Sequence, residues 1–160
     1  MVGSHIKRIV LFLTGFCVYI TIEVLFRGHS YPVMGICGGV LLIFLDLIND
    51  KISWDLDILV QGSIGSCMVT SIELIIGEIW KLNGWEPMWD YSNIFLNFDG
   101  VICLPFSLAW MGLSIFGILI ADAINFYMFC EEPIPYYKLF GKVVIKFKEK
   151  YCRSKDKMNK

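Results

Sequence analysis

The chain has 160 residues, of which 56% are hydrophobic and 18% charged, with a mean hydropathy of +0.62 and a formal net charge of −1. A soluble domain carries about 25% charged residues. Here the shortfall is concentrated in long apolar runs, which excludes an ordinary water-soluble domain and reads as membrane-spanning helices.

The first apolar run extends from about Ile9 to Phe26, after the basic pair Lys7-Arg8. No small-x-small cleavage site precedes Arg27, so the run is expected to be retained as a span. Arg27-Gly28-His29-Ser30 forms a tight turn, and a glycine-rich second span (Gly35, Gly38, Gly39) covers Tyr31 to Ile48. A turn at Asn49-Asp50-Lys51 follows, with Trp54 near the interface, and then a third span from Asp57 to Trp80. The longest loop, Lys81 to Gly100, carries Trp85, Trp89 and Tyr91. The fourth span runs from Val101 to Phe129, with Pro105 in its first turns, where proline costs least. Four helices of ~20 residues plus short loops use up the chain. The expected fold is all-α: a polytopic bundle of about four transmembrane helices over residues 1–130, followed at 131–160 by a basic tail, partly helical or disordered.

Charge sets the orientation. Nine basic residues and two acids lie between Lys138 and Lys160. With an even number of spans, these nine share one side with Lys7, Arg8 and Lys51, twelve in all, against Arg27 and Lys81 opposite. The positive-inside rule then places both termini in the cytoplasm and the protein in the cell membrane. The tail either lies against anionic headgroups or serves only as the orientation signal. The six cysteines show neither a CxxC pair nor zinc spacing, so no disulfide framework, metal site or cofactor is expected.

Thr21-Ile22-Glu23-Val24-Leu25 matches Ser71-Ile72-Glu73-Leu74-Ile75 fifty residues on, with a weaker echo of Gly35-Ile36-Cys37 in Gly100-Val101-Ile102-Cys103. Two parallel helical-hairpin repeats would explain it, as would chance similarity in apolar sequence.

Ionisable residues inside spans are the best functional evidence, since a mid-bilayer carboxylate costs ~2.5–3.5 kcal/mol on insertion scales and faces protein or water. Glu23 sits on the ladder Gly15, Tyr19, Glu23, Arg27, so it can pair with Arg27 one turn on. Such a pair reads equally as an anchor for the helix end. Glu73 is deeper, on a stripe of small residues (Gly62, Ser66, Thr70, Gly77) that turns it into the bundle. Arg27 or a hydroxyl from another helix is its expected partner. Asp122 and Asn125 share a face of the fourth span and read first as packing contacts. Asp46 lies near the inner end of its span. In the outer loop, Asp90, Tyr91 and Ser92 fall on the side of Glu23, Arg27 and Glu73, and Asp90 with Ser92 and Asn93 can cap a turn. Glu23, Arg27, Glu73, Asp90, Tyr91 and Ser92 therefore form a candidate polar pocket under an aromatic-rich outer lid.

The segments Ile22 to Ser30, Thr70 to Gly77 and Trp89-Asp90-Tyr91-Ser92-Asn93, followed by Gly100 to Leu104, resemble the putative ABC-transporter type IV membrane proteins of bacteria. The resemblance covers about Val10 to Tyr137, departing at Ser30 to Met34, where relatives often carry a longer aromatic stretch. It implies transport. No phosphate-binding loop ending in Gly-Lys-Ser/Thr occurs, so an ATPase would be a separate chain, and four spans imply a homo-oligomer. The expected function is a permease-like or transporter subunit, with no nucleic-acid partner. The alternative is a non-transporting scaffold or regulatory subunit that binds a partner through small-residue helix faces and the basic tail. An intramembrane enzyme has little support, because no HExxH or nucleophile–base spacing is present.

Overall fold

The computed structural model describes residues 2–149, with side chains placed for residues 4–48 and 51–149. Four helices dominate it: α1 (Val2–Arg27), α2 (Pro32–Lys51), α3 (Ile58–Leu82) and α4 (Leu104–Phe129). Two small antiparallel hairpins are added, β1 (Asn97–Phe98) with β2 (Ile102–Cys103) between α3 and α4, and β3 (Tyr136–Leu139) with β4 (Lys142–Lys146) after α4. The chain is mostly helical, as the all-α reading expects, and the two short hairpins are additions to the four helices.

Glycine and proline punctuate the helices where the sequence placed breaks. Gly28 takes a left-handed φ of 78°, and its N–H closes onto the Val24 carbonyl at 2.8 Å, ending α1. Pro32 opens α2 and Pro105 opens α4, both in the first turn. Asp57 caps α3, its carboxylate accepting from the Leu59 N–H at 3.0 Å. The expected turn at residues 49–51 is instead the last turn of α2, and 101–103 belong to the outer hairpin rather than to α4.

α1, α3 and α4 are each long and apolar enough to cross a membrane; the apolar part of α2, Pro32–Ile48, is shorter. The side chains turned outward are apolar, among them Ile9, Leu13, Leu25, Ile75, Leu108 and Phe116, while Asp46, Gln61, Glu73, Asp122 and Asn125 are buried. Charged and polar groups drawn into the core beneath an apolar exterior suit lipid rather than water.

The helices pack as two tight pairs. Gly15 of α1 and Gly38 of α2 meet backbone to backbone, and a Cβ on Gly39 would run into Phe12. Between α3 and α4, Gly62 receives Ile115 and Gly65 receives Ser114, while the Ser66 hydroxyl donates to the Ser107 carbonyl at 2.5 Å. The stripe that turns Glu73 inward is therefore the α3–α4 contact. The echo around Gly35 and Gly100 does not extend to conformation: residues 35–37 lie within α2, whereas Gly100 stands in a turn at φ 68°.

At the end opposite the outer loop, the β3–β4 hairpin closes the bundle, so residues 136–146 are neither helical nor disordered. Residues 150–160 of the expected tail lie outside the described residues. The two-residue turn Phe140-Gly141 has φ of 50° and 76°, as a type I′ hairpin requires. Tyr137 is fully buried and donates to the Asp122 carboxylate at 2.5 Å. It packs with Leu11, Leu45, Ile58 and Ile118 in the main core cluster. Lys138 bonds Asp55 at 2.5 Å, and the Phe140 N–H donates to Asp57 at 2.5 Å. Cys17, Cys37, Cys67 and Cys103 are free thiols, whereas Cys130 is disulfide-bonded, a pairing that spacing did not announce.

Candidate functional site: a cavity beneath the outer loop

The i+4 ladder on α1 brings Glu23 under Arg27, whose guanidinium bonds it directly. The other terminal nitrogen of Arg27 donates to the Met88 carbonyl at 2.9 Å, tying α1 to the 83–103 loop. The Ser30 hydroxyl donates to the second oxygen of Glu23. This pair therefore neutralises itself and anchors the loop.

Glu73 on α3 is held differently. It is 5% exposed and accepts from the Trp110 indole N–H at 2.8 Å, with Tyr91 beside it on the cavity wall. Arg27 is close enough to act on it through space, but the bonded partner is the indole. Trp110 in turn stacks on Tyr19, with ring centroids 5.9 Å apart. Tyr91 stacks on Phe106 at 4.7 Å. Burial, and then the neighbouring Glu73 carboxylate, push the Tyr91 hydroxyl well above its ordinary pKa, so it stays a donor.

The loop that carries Tyr91 is locked by its own polar groups. Asp90 accepts from the Ser92 N–H at 2.8 Å and from the Ser92 hydroxyl, which together hold its carboxyl below the usual range. The Tyr91 N–H donates to the Gly100 carbonyl at 2.8 Å, and the Trp89 indole donates to the Val101 carbonyl at 2.7 Å. The Asn97 side chain ties Ser92, Ile94 and Gly100 together, in the place where the sequence reading had put Asn93. Lys81 closes the rim on Asp99 at 2.7 Å.

Between these elements lies a cavity of about 390 Å³. Glu23, Arg27, Glu73, Asp90 and Tyr91 all line it. Ser92 does not; it faces the neighbouring recess formed with Lys81, Asn97 and Asp99. Asp122 and Asn125 lie at the far end of the bundle, where Asn125 donates to Asp46, and Lys7 pairs with Asp46 at 3.3 Å and Glu131 at 2.8 Å. They form a separate network.

Tyr19, Phe106 and Trp110 also line the cavity. Sequence reading left Trp110 out altogether. Its signal was a tryptophan about 9 Å inside α4 at 1.5 Å per residue, below the level where interfacial tryptophans gather.

The family model described as "Putative ABC-transporter type IV" matches residues 8–147. No curated protein and no solved structure matches the chain.

Proposed function

The chain belongs to the Putative ABC-transporter type IV family, and from that premise we propose that it is a permease-like membrane subunit whose solute enters through the cavity beneath the outer loop. The observation that carries the reading is Glu73, a buried carboxylate on the cavity wall hydrogen-bonded to an indole N–H rather than to a cation. An acid inside a span is expensive to keep and marks a solute or ion path where it lines a cavity. In this reading α2 crosses the bilayer with the other three helices, both termini face the cytoplasm, and Glu23, Arg27, Asp90 and Tyr91 build the mouth. Any ATPase is a separate chain, and a homo-oligomer completes the pathway.

The scaffold reading is weaker on one specific point. The small-residue faces that a partner helix would use at Gly15, Gly38, Gly62 and Gly65 are filled by this chain's own helices. Uptake into proteoliposomes is the test, with candidate ATPases added or omitted. Glu73→Gln is expected to abolish uptake and leave insertion and thermal melting nearly unchanged. Loss of folding with no uptake in the wild type across cations, amino acids and lipids would return the protein to the scaffold reading.

A further inference from the structure

We propose that the cavity beneath the outer loop is a binding site for an organic monocation, an alkylated or arylated ammonium, seated against the Glu73 carboxylate among aromatic side chains. The proposal rests on the permease reading for its biological meaning, but binding can be measured without transport.

Charge comes first. The ionisable groups lining the cavity are Glu23, Glu73, Asp90 and Arg27, three acids to one base. Arg27 is consumed by Glu23 and the Met88 carbonyl, so it is not presented to a ligand as an open cation. Asp90 is engaged with Ser92 at the rim. Glu73 keeps acceptor capacity beyond the single indole N–H, because a carboxylate offers about four lone-pair sites. A bound ammonium is the group that would use what remains.

The walls point to an organic ion over a metal ion. Tyr19, Phe26, Trp89, Tyr91, Phe106 and Trp110 all line the cavity, and aromatic side chains attract alkylammonium groups through the ring quadrupole while tolerating their methyl groups. A small inorganic cation would need several oxygen ligands at ~2.0–2.6 Å; the described residues hold no group of three His, Cys, Asp or Glu suited to a metal. The volume of about 390 Å³ is that of a small-molecule pocket.

The experiment is calorimetric titration of the full-length protein in nanodiscs with choline, with phenyltrimethylammonium, and with dimethylbutanol, the neutral carbon isostere of choline. Saturable binding of the cations is expected, with the isostere weaker by roughly tenfold or more. Glu73→Gln should weaken the cations by a similar factor without weakening the isostere. The wild-type comparison of choline with its isostere needs no variant and stands if Glu73→Gln fails to fold. Equal affinity for cation and isostere, or no saturable binding of either cation, would overturn the proposal. Cation binding with no uptake of any solute supports the site while removing the transport reading. Uptake of another solute with no cation binding does the reverse.

Discussion

At Glu73 three parts of the chain converge: its own helix supplies the small residues that bury it, α4 supplies the Trp110 indole, and the α3–α4 loop sets the Tyr91 ring on the same cavity wall. Glu23 and Arg27 differ from this in being each other's partner. Replacing Arg27 by Met removes the guanidinium from a nearly buried carboxylate and from the Met88 carbonyl, and is expected to cost ~1–3 kcal/mol. The double variant with Glu23→Gln should recover part of that loss, since no buried charge is then left alone. Thermal melting of the four proteins in detergent checks it, and strict additivity would contradict the pairing. Tyr137→Phe takes the only hydroxyl of a fully buried ring away from Asp122 and should cost a similar ~1–3 kcal/mol. The Glu23–Arg27 contact was legible because i+4 spacing on one helix fixes it locally. The Glu73–Trp110 bond was not, because the register of α3 against α4 is set by Gly62 meeting Ile115 and Ser66 meeting Ser107.

The helices themselves follow from hydropathy with Gly28, Pro32 and Pro105 as punctuation; most ends differ by one to three residues, and α1 begins seven residues before the apolar run. The β3–β4 hairpin is obscured in the sequence because nine basic residues from Lys138 onward dominate the composition of that stretch. Its pattern was present: Phe140-Gly141 between Tyr136–Leu139 and the β-branched run Val143-Val144-Ile145 is a two-residue hairpin signal. The hairpin is moored by Lys138 on Asp55. Tyr136 joins that contact, and together they hold the Asp55 carboxyl below its ordinary pKa, while Asp55 raises the Lys138 ammonium. A depressed acid gives its stabilisation above its unfolded pKa and loses it as pH falls through the folded value; a raised base gives it below its unfolded pKa and loses it as pH rises through the folded value. Hairpin docking should therefore be flat around neutrality and loosen below the carboxylate range and above the lysine range. Proteolysis of residues 136–146 against pH reads this out. For the α1–α2 pair, Gly15→Ala drives a Cβ into the Gly38 carbonyl and Leu42, and should destabilise by ~1–3 kcal/mol. Gly112→Ala, on α4 with open space around it, is the control and should be neutral or stabilising by up to ~1 kcal/mol. Equal melting temperatures for the two variants would contradict the packing account.

For the whole molecule, an apolar exterior, a cavity under a locked loop and a hairpin closing the opposite end make two unlike faces. Among the described residues, seven basic side chains (Lys7, Arg8, Lys51, Lys138, Lys142, Lys146, Lys148) at the hairpin end against two (Arg27, Lys81) at the loop end favour the loop outward. Orientation is directly measurable. The decisive measurement is labelling of intact cells with a membrane-impermeant thiol reagent, applied to Ala109→Cys on the cavity wall, Ser92→Cys on the loop and Val144→Cys on the hairpin, each against the unsubstituted chain. The account predicts that the Ala109→Cys and Ser92→Cys variants react from outside and that Val144→Cys reacts only after permeabilisation. Labelling of Val144→Cys alone from outside, or an Ala109→Cys variant that stays unreactive while Ser92→Cys reacts, would contradict an outward-opening cavity.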